Sequence, residues 1–231
     1  MTMLMDGSLW SQTSLIACLR AHPNALVNCE GRRGMRPPPV GQSGAFEDNN
    51  SRLFKAVMFG AVAGPVETDP LLRQNDRTLT LTLCRPDWNY PEARNLFDAQ
   101  LTKLGAAATA AAACHPDVVH PFNVFRWTST SLSVKWVDDD WGRLSATRQD
   151  DHILVEIACR GHSCVFEVGG FVLGMTASEY LESHRLCPGD VVVFQGTLRV
   201  RTWKDTTVPL REFRIIATTM RVLEVYDDVS S

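Results

Sequence analysis

Two periodicities run through this chain, one of two residues and one of three to four, and between them they place its elements. The clearest two-residue pattern follows the turn signal Pro188-Gly189: an apolar run through Val191, Val192, Val193 and Phe194, then strict alternation after Gly196. In a strand, successive side chains point to opposite faces. Leu198, Val200 and Thr202 are therefore expected on one face, with Thr197, Arg199, Arg201 and Trp203 on the other. Arg77 to Cys84 repeats the pattern, with Leu79, Leu81 and Leu83 opposed to Thr78, Thr80 and Thr82. A first strand is expected from Leu53 to Val62, broken by Gly60, and Gly64-Pro65 with Asp69-Pro70 mark the loop after it. Asp151 to Phe171 reads as a third strand folded into a hairpin at Arg160-Gly161-His162, and Arg211 to Val225 as the last strand.

Helical spacing is confined to a few segments. Pro91 suits the first position of a helix reaching about Ala113, with Leu96, Phe97, Leu101 and Leu104 on one side. Thr176 with Glu179 makes a capping box for a short helix to His184. The order is strand, strand, strand, short helix, strand, strand. It predicts an all-β fold, a five-stranded OB-fold barrel with one helix between strands 3 and 4. A long mixed insertion, residues 85–150, separates strands 2 and 3. The folded domain is expected over 51–226, with 227–231 as a tail.

Residues 1–50 differ. They carry Arg20, Arg32, Arg33 and Arg36, the acids Asp6 and Glu30 among others, and the breaker run Pro37-Pro38-Pro39. Leu9, Leu15, Ile16 and Leu19 with Arg20 suit a short amphipathic helix. Two readings fit this composition, a mitochondrial transit peptide and a disordered tail.

Composition narrows the function classes. The chain has 231 residues, 45% hydrophobic and 21% charged, which is ordinary for a globular domain. No apolar run is long enough for a membrane helix, so no membrane partner is expected. The net charge of -3 confines any nucleic-acid surface to a local patch. Seven scattered cysteines read as reduced thiols. Cys159, His162 and Cys164 lack the paired spacings of a zinc site, and Asp138, Asp139 and Asp140 read as a solvated turn. No nucleophile elbow, phosphate-binding loop or dinucleotide fingerprint is present, so neither an enzyme nor a bound cofactor or metal is expected.

What remains is the face carrying Arg199, Arg201 and Trp203. Two guanidinium groups beside an indole suit phosphates and an unstacked base; the alternative is a merely solvated face. Trp88 and Trp127 in the insertion are further stacking candidates, and Lys55, Lys204 and Arg214 further phosphate candidates. Ala177-Ser-Glu-Tyr-Leu181 followed by Gly189, Gly196, Leu198-Arg199, Arg201, Trp203 and Asp205 resembles bacterial and mitochondrial single-stranded DNA-binding proteins, over about residues 176–225. Lys55 to Gly60 resembles the first strand of that family, and Asp151 to Val155 the start of its third. The long insertion, and Asp151-His152 where the family carries an aromatic, depart from its pattern. Similar divergent barrels occur as OB-fold accessory subunits of kinetoplastid mitochondrial RNA-editing complexes. The resemblance implies stacking by Trp203, backbone contacts from Arg199 and Arg201, and single-stranded DNA or RNA as partner. The rival expectation is an assembly subunit joined to other OB-fold subunits in a homo- or hetero-oligomer.

If Trp203 stacks on a base, Trp203→Ala should weaken oligonucleotide binding by about 1–3 kcal/mol. A fluorescence titration giving unchanged affinity would remove Trp203 from the interface.

Overall fold

The computed structural model describes residues 9–29, 34–39, 42–63, 67–68, 78–88, 90–113, 126–128, 131–133, 153–158, 165–168, 171–172, 186–203 and 210–226. For Arg201 to Trp203 and Leu210 to Arg214 the description covers the backbone alone. In chain order the elements are β1 (Leu9–Ser11), α1 (Gln12–Ala21), β2 (Gly44–Ala45), β3 (Lys55–Val62), β4 (Glu67–Thr68), β5 (Thr78–Cys84) and α2 (Pro91–Ala113). They continue with β6 (Arg126–Thr128), β7 (Ser131–Ser133), β8 (Ile153–Ala158), β9 (Val165–Val168), β10 (Phe171–Val172), β11 (Val191–Trp203) and β12 (Leu210–Tyr226).

The two long strands at the C-terminal end organise the rest. β11 and β12 run antiparallel over thirteen residue pairs, from Val191 opposite Leu223 to Trp203 opposite Leu210. The alternation read from the sequence holds within them: Leu198 and Val200 are buried and Arg199 between them is exposed. Phe194, Gly196 and Leu198 face Met220, Ala217 and Ile215 across the ladder, and all six lie inside. The register slips by one residue between Gln195 and Gly196, so Thr218 stands opposite no residue. Its hydroxyl donates instead to the Gln195 carbonyl at 3.0 Å, which ties down the bulge.

Each long strand has a second edge. That of β11 takes β3, antiparallel from Val191 opposite Ala61 to Thr197 opposite Lys55, and then β2. That of β12 takes β8, β9 and β1 in turn, all parallel. β5 pairs with β8 on one side, and with the end of β3 and with β4 on the other. With β10 on β9 these make a ten-stranded sheet, while β6 and β7 form a separate pair. The turn into β11 is Cys187 to Asp190, where Gly189 has φ +97, a conformation that strongly favours glycine. Its N–H donates to the Val62 carbonyl at 2.8 Å and fastens the turn to β3.

Several expectations need correction. All five expected strands are present as β3, β5, β8, β11 and β12, but the plain five-stranded closed barrel is not. The sheet carries five further strands, and two of its seams are narrow: β3 meets β5 at only two residue pairs, and β8 meets β12 at only two. The expected hairpin of the third strand is also absent among the described residues. β8 and β9 take successive stretches of the long β12 edge, so they lie end to end along it rather than side by side.

The open stretch of the β3 edge has other partners. Val57 N–H donates to the Asn24 carbonyl at 2.8 Å. Phe59 N–H donates to Gln100 Oε1 at 3.0 Å, and Gln100 Nε2 donates back to the Phe59 carbonyl at 3.1 Å. Ala63 N–H then reaches the Thr82 carbonyl on β5 at 2.9 Å. A buried strand edge must be satisfied somewhere, and here a loop carbonyl and one glutamine amide stand in for a neighbouring strand.

The insertion is therefore partly core. α2 keeps the predicted limits, but it buries Ala93, Leu96, Phe97, Leu104 and Ala107, and Phe97 meets Phe59 edge to face at 6.1 Å. Gly60, rather than breaking β3, permits this approach. A Cβ there would come within 2.9 Å of Leu83 Cβ and 3.1 Å of the Phe97 ring.

Residues before Ser51 also join this packing. α1 forms with the expected apolar side, capped by Ser11 Oγ accepting the Ser14 N–H at 3.2 Å. Leu15, Ile16, Leu19, Leu26 and Phe46 are all buried in the same core cluster as β3 and β11. A detached or disordered first fifty residues is thus not what the described part of this segment forms: its apolar stripe is spent on the core.

Gln100→Leu should keep the volume but strand the Phe59 N–H and carbonyl, at a cost of about 2–4 kcal/mol. Urea denaturation tests this, and a change under 1 kcal/mol would mean that the two bonds do not hold the edge.

Candidate nucleic-acid interface

Residues paired across an antiparallel ladder share a face of the sheet, so the register lays out a surface. On the outer face of β11 the pairs run Thr197 with Ile216, Arg199 with Arg214, Arg201 with Glu212 and Trp203 with Leu210. On the other edge of β11, Lys55 stands opposite Thr197 and Ala45 opposite Arg199. Lys55 and Arg199 are exposed, and Thr197, opposite Lys55, is buried. The face thus gathers four cationic positions, Lys55, Arg199, Arg201 and Arg214, and two acidic ones, Glu212 and, opposite Ile216 on β8, Glu156. The net charge of the whole chain is -3, so these positions are more cationic than the chain as a whole.

A second feature adjoins it. Between β2 and β3 the chain leaves the β11 edge and returns: Phe46 N–H donates to the Leu198 carbonyl and Phe54 N–H to the Phe46 carbonyl, both at 2.9 Å. Phe46 and Phe54 are buried at the base of the excursion. At its tip, Asp48 Oδ1 accepts the N–H groups of Asn50 and Arg52 at 2.8 and 2.9 Å. Arg36 donates to the Asp48 carbonyl, at 2.9 Å from Nη2, and to Ser51 Oγ at 3.0 Å. Ser51 has φ +58. The Arg52 N–H above all, with the Asn50 N–H and the charges of Arg52 and Arg36, holds the Asp48 carboxyl below its ordinary range. The turn leaves Arg52 and Leu53 exposed, Leu53 at 45%. Sequence reasoning missed it, although Asp48-Asn49-Asn50-Ser51 carries the turn chemistry of a side chain bonding its own backbone.

The predicted site residues separate under the structure. Lys55 and Arg199 lie exposed on the face, and Arg201, Trp203 and Arg214 take register positions on it. Trp88 does not belong to it. Only 9% exposed, it is part of the core cluster, where an indole buries a large apolar area. Trp127 stands opposite Leu132 in the separate β6–β7 pair. Lys204, Cys159 to Cys164, Asp138 to Asp140 and Thr176 to His184 lie outside the described residues. Among the described residues no three His, Cys, Asp or Glu side chains gather as a metal site. Burial raises the Cys18 and Cys84 thiols above their ordinary range, so both stay protonated at neutral pH.

No family model matches the chain, and no curated protein matches it either. Among solved structures, the crystal structure of gp2.5, a single-stranded DNA-binding protein encoded by bacteriophage T7, aligns with 77% of this chain and 91% of its own at 8% identity. The TM-score is 0.33, too low to carry an argument about fold or function.

Because the folded Asp48 carboxyl is held below its ordinary value of 3.8, the bonds of its turn persist above that pH and are lost as pH falls through the lower folded value. The Asn50 and Arg52 amide resonances should titrate with a midpoint below 3.8. A midpoint at or above it would show that the carboxylate does not hold the turn.

Proposed function

We propose that this protein binds single-stranded nucleic acid across the outer face of β11 and β12, through phosphate contacts from Lys55, Arg199 and Arg214 with base stacking on Trp203. The observation that carries the reading is the register: it gathers four cationic positions on one face of a chain whose overall charge is negative. Phosphate contacts with an aromatic alongside need no base readout and accept any sequence.

We further propose that β3, β5, β8, β11 and β12 form an OB-type wall. Antiparallel pairings run from β8 through β5, β3 and β11 to β12, and β8 meets β12 in parallel at two residue pairs only. OB folds are themselves only partly closed, and they bind oligonucleotides on the sheet face.

Full-length protein titrated with fluorescent oligo-dT and oligo-U should bind both, more weakly as salt rises, with a slope near -0.7 per phosphate contact. Combining Lys55→Gln with Arg199→Gln should flatten that slope by roughly 1.4. No binding of either oligomer at low salt would end this reading.

A further inference from the structure

The segment that follows α1 is fastened to β3 through one histidine ring. His22 N–H donates to the Leu19 carbonyl at 3.3 Å and ends the helix. Asn28 Nδ2 donates to the Arg20 and His22 carbonyls at 2.6 and 3.0 Å, which brackets the loop between them. Across Pro23, His22 Nδ1 accepts the Asn24 N–H at 3.1 Å. The carbonyl of the same Asn24 accepts the Val57 N–H at 2.8 Å, and Ala25 bridges Val57 in parallel register. The ring therefore positions the residue that completes the β3 edge at Val57. Two residues on, at Phe59, Gln100 completes the same edge with an amide that does not titrate. An Nδ1 that accepts carries no proton, so the bond to Asn24 requires a neutral ring. His22 is only half-buried, so protons from solvent reach it.

We propose that His22 is a pH-sensitive latch: a proton on Nδ1 turns the acceptor into a donor, releases the Asn24 N–H and loosens the β3 edge at Val57, while the edge at Phe59 stays closed. Histidine is the side chain that changes charge between about pH 5 and 8, so the latch is shut at the upper end of that range and released as pH falls through it. The charged and titratable groups on the elements packed about this loop are Cys18 and Arg20 on α1, Cys29 at its own end, Lys55 on β3, and Glu92, Arg94, Asp98 and Lys103 on α2. Asp98 is already matched by Arg85 at 2.6 Å. Carboxylates, guanidinium and ammonium groups ordinarily keep one charge from about pH 5 to 8, and thiols stay neutral up to about pH 8. Acid therefore acts on this loop through His22. The release is local, because Leu15, Ile16, Leu19 and Leu26 are buried in the core without help from the ring. The latch does not depend on the single-strand reading.

The test is amide hydrogen exchange of the full chain, followed by NMR from about pH 7.5 to about pH 5 and expressed as protection relative to an unstructured amide at the same pH. Protection of Val57 should fall roughly tenfold in acid, because its acceptor loses the bond that positions it, while protection of Phe59 should hold. His22→Asn keeps a side-chain oxygen that accepts the N–H two residues on and does not titrate. The chain has six histidines, and this variant separates His22 from the others. Its Val57 amide should stay protected across the whole range. Should His22→Asn fail to fold, the His22 ring resonances of the native chain replace it: their titration midpoint should coincide with that of the Val57 fall. The latch is overturned if Val57 keeps its protection in acid, if Val57 and Phe59 lose theirs together, if His22→Asn shows the native fall, or if the two midpoints differ.

Discussion

The β11–β12 ladder is the constraint on which the other elements depend. Thirteen consecutive pairs fix the inner face, where Phe194, Leu198, Ile215 and Met220 meet, and by the pleat they also fix the outer one. Both strands then offer a second edge long enough for several short strands, which is why β1, β2, β8 and β9 can be brief and still be held. The bulge at Thr218 is a necessary adjustment. It separates the stretch that pairs with β9 from the stretch carrying the charged rows, so the latter keeps its own alternation.

Around that ladder the chain closes its hydrogen-bond accounts by unlike means. A single wall of strands would have paired the whole β3 edge with β5. Instead Asn24 and Gln100 complete it, which draws the N-terminal segment and α2 into the core. This explains why residues that read as a tail and as an insertion contribute Leu15, Leu19, Phe97 and Leu104 to the same cluster as Met58 and Phe194. Gly60 has a matching role, since its missing side chain is the space that Phe97 and Leu83 occupy.

The chemistry of the outer face follows from burial and register together. Helices and loops cover the other side of β3 as far as Val57, and Lys55 emerges at its start beside Arg199. The turn stapled by Asp48 and Arg36 lies between β2 and β3 and leaves Arg52 exposed. The register thus groups cationic positions on one face of a chain whose net charge is -3, which the sum of its charges conceals.

Much of this was legible in the residues. Alternation located β5, β11 and β12 to within a residue or two, Pro91 located α2, and Pro188-Gly189 located the turn that needs a positive φ. Side-chain spacing depends only on local backbone geometry, so a strand's two faces, and the exposure of Arg199 between Leu198 and Val200, could be read without knowing any neighbour. Partners could not. That Arg214 stands opposite Arg199 in the register, that Glu212 stands opposite Arg201, that Trp88 is core and that Gln100 completes β3 all depend on residues distant in sequence. Period-two patterning says which residues share a face, and only the tertiary structure, through register and packing, decides what stands opposite them.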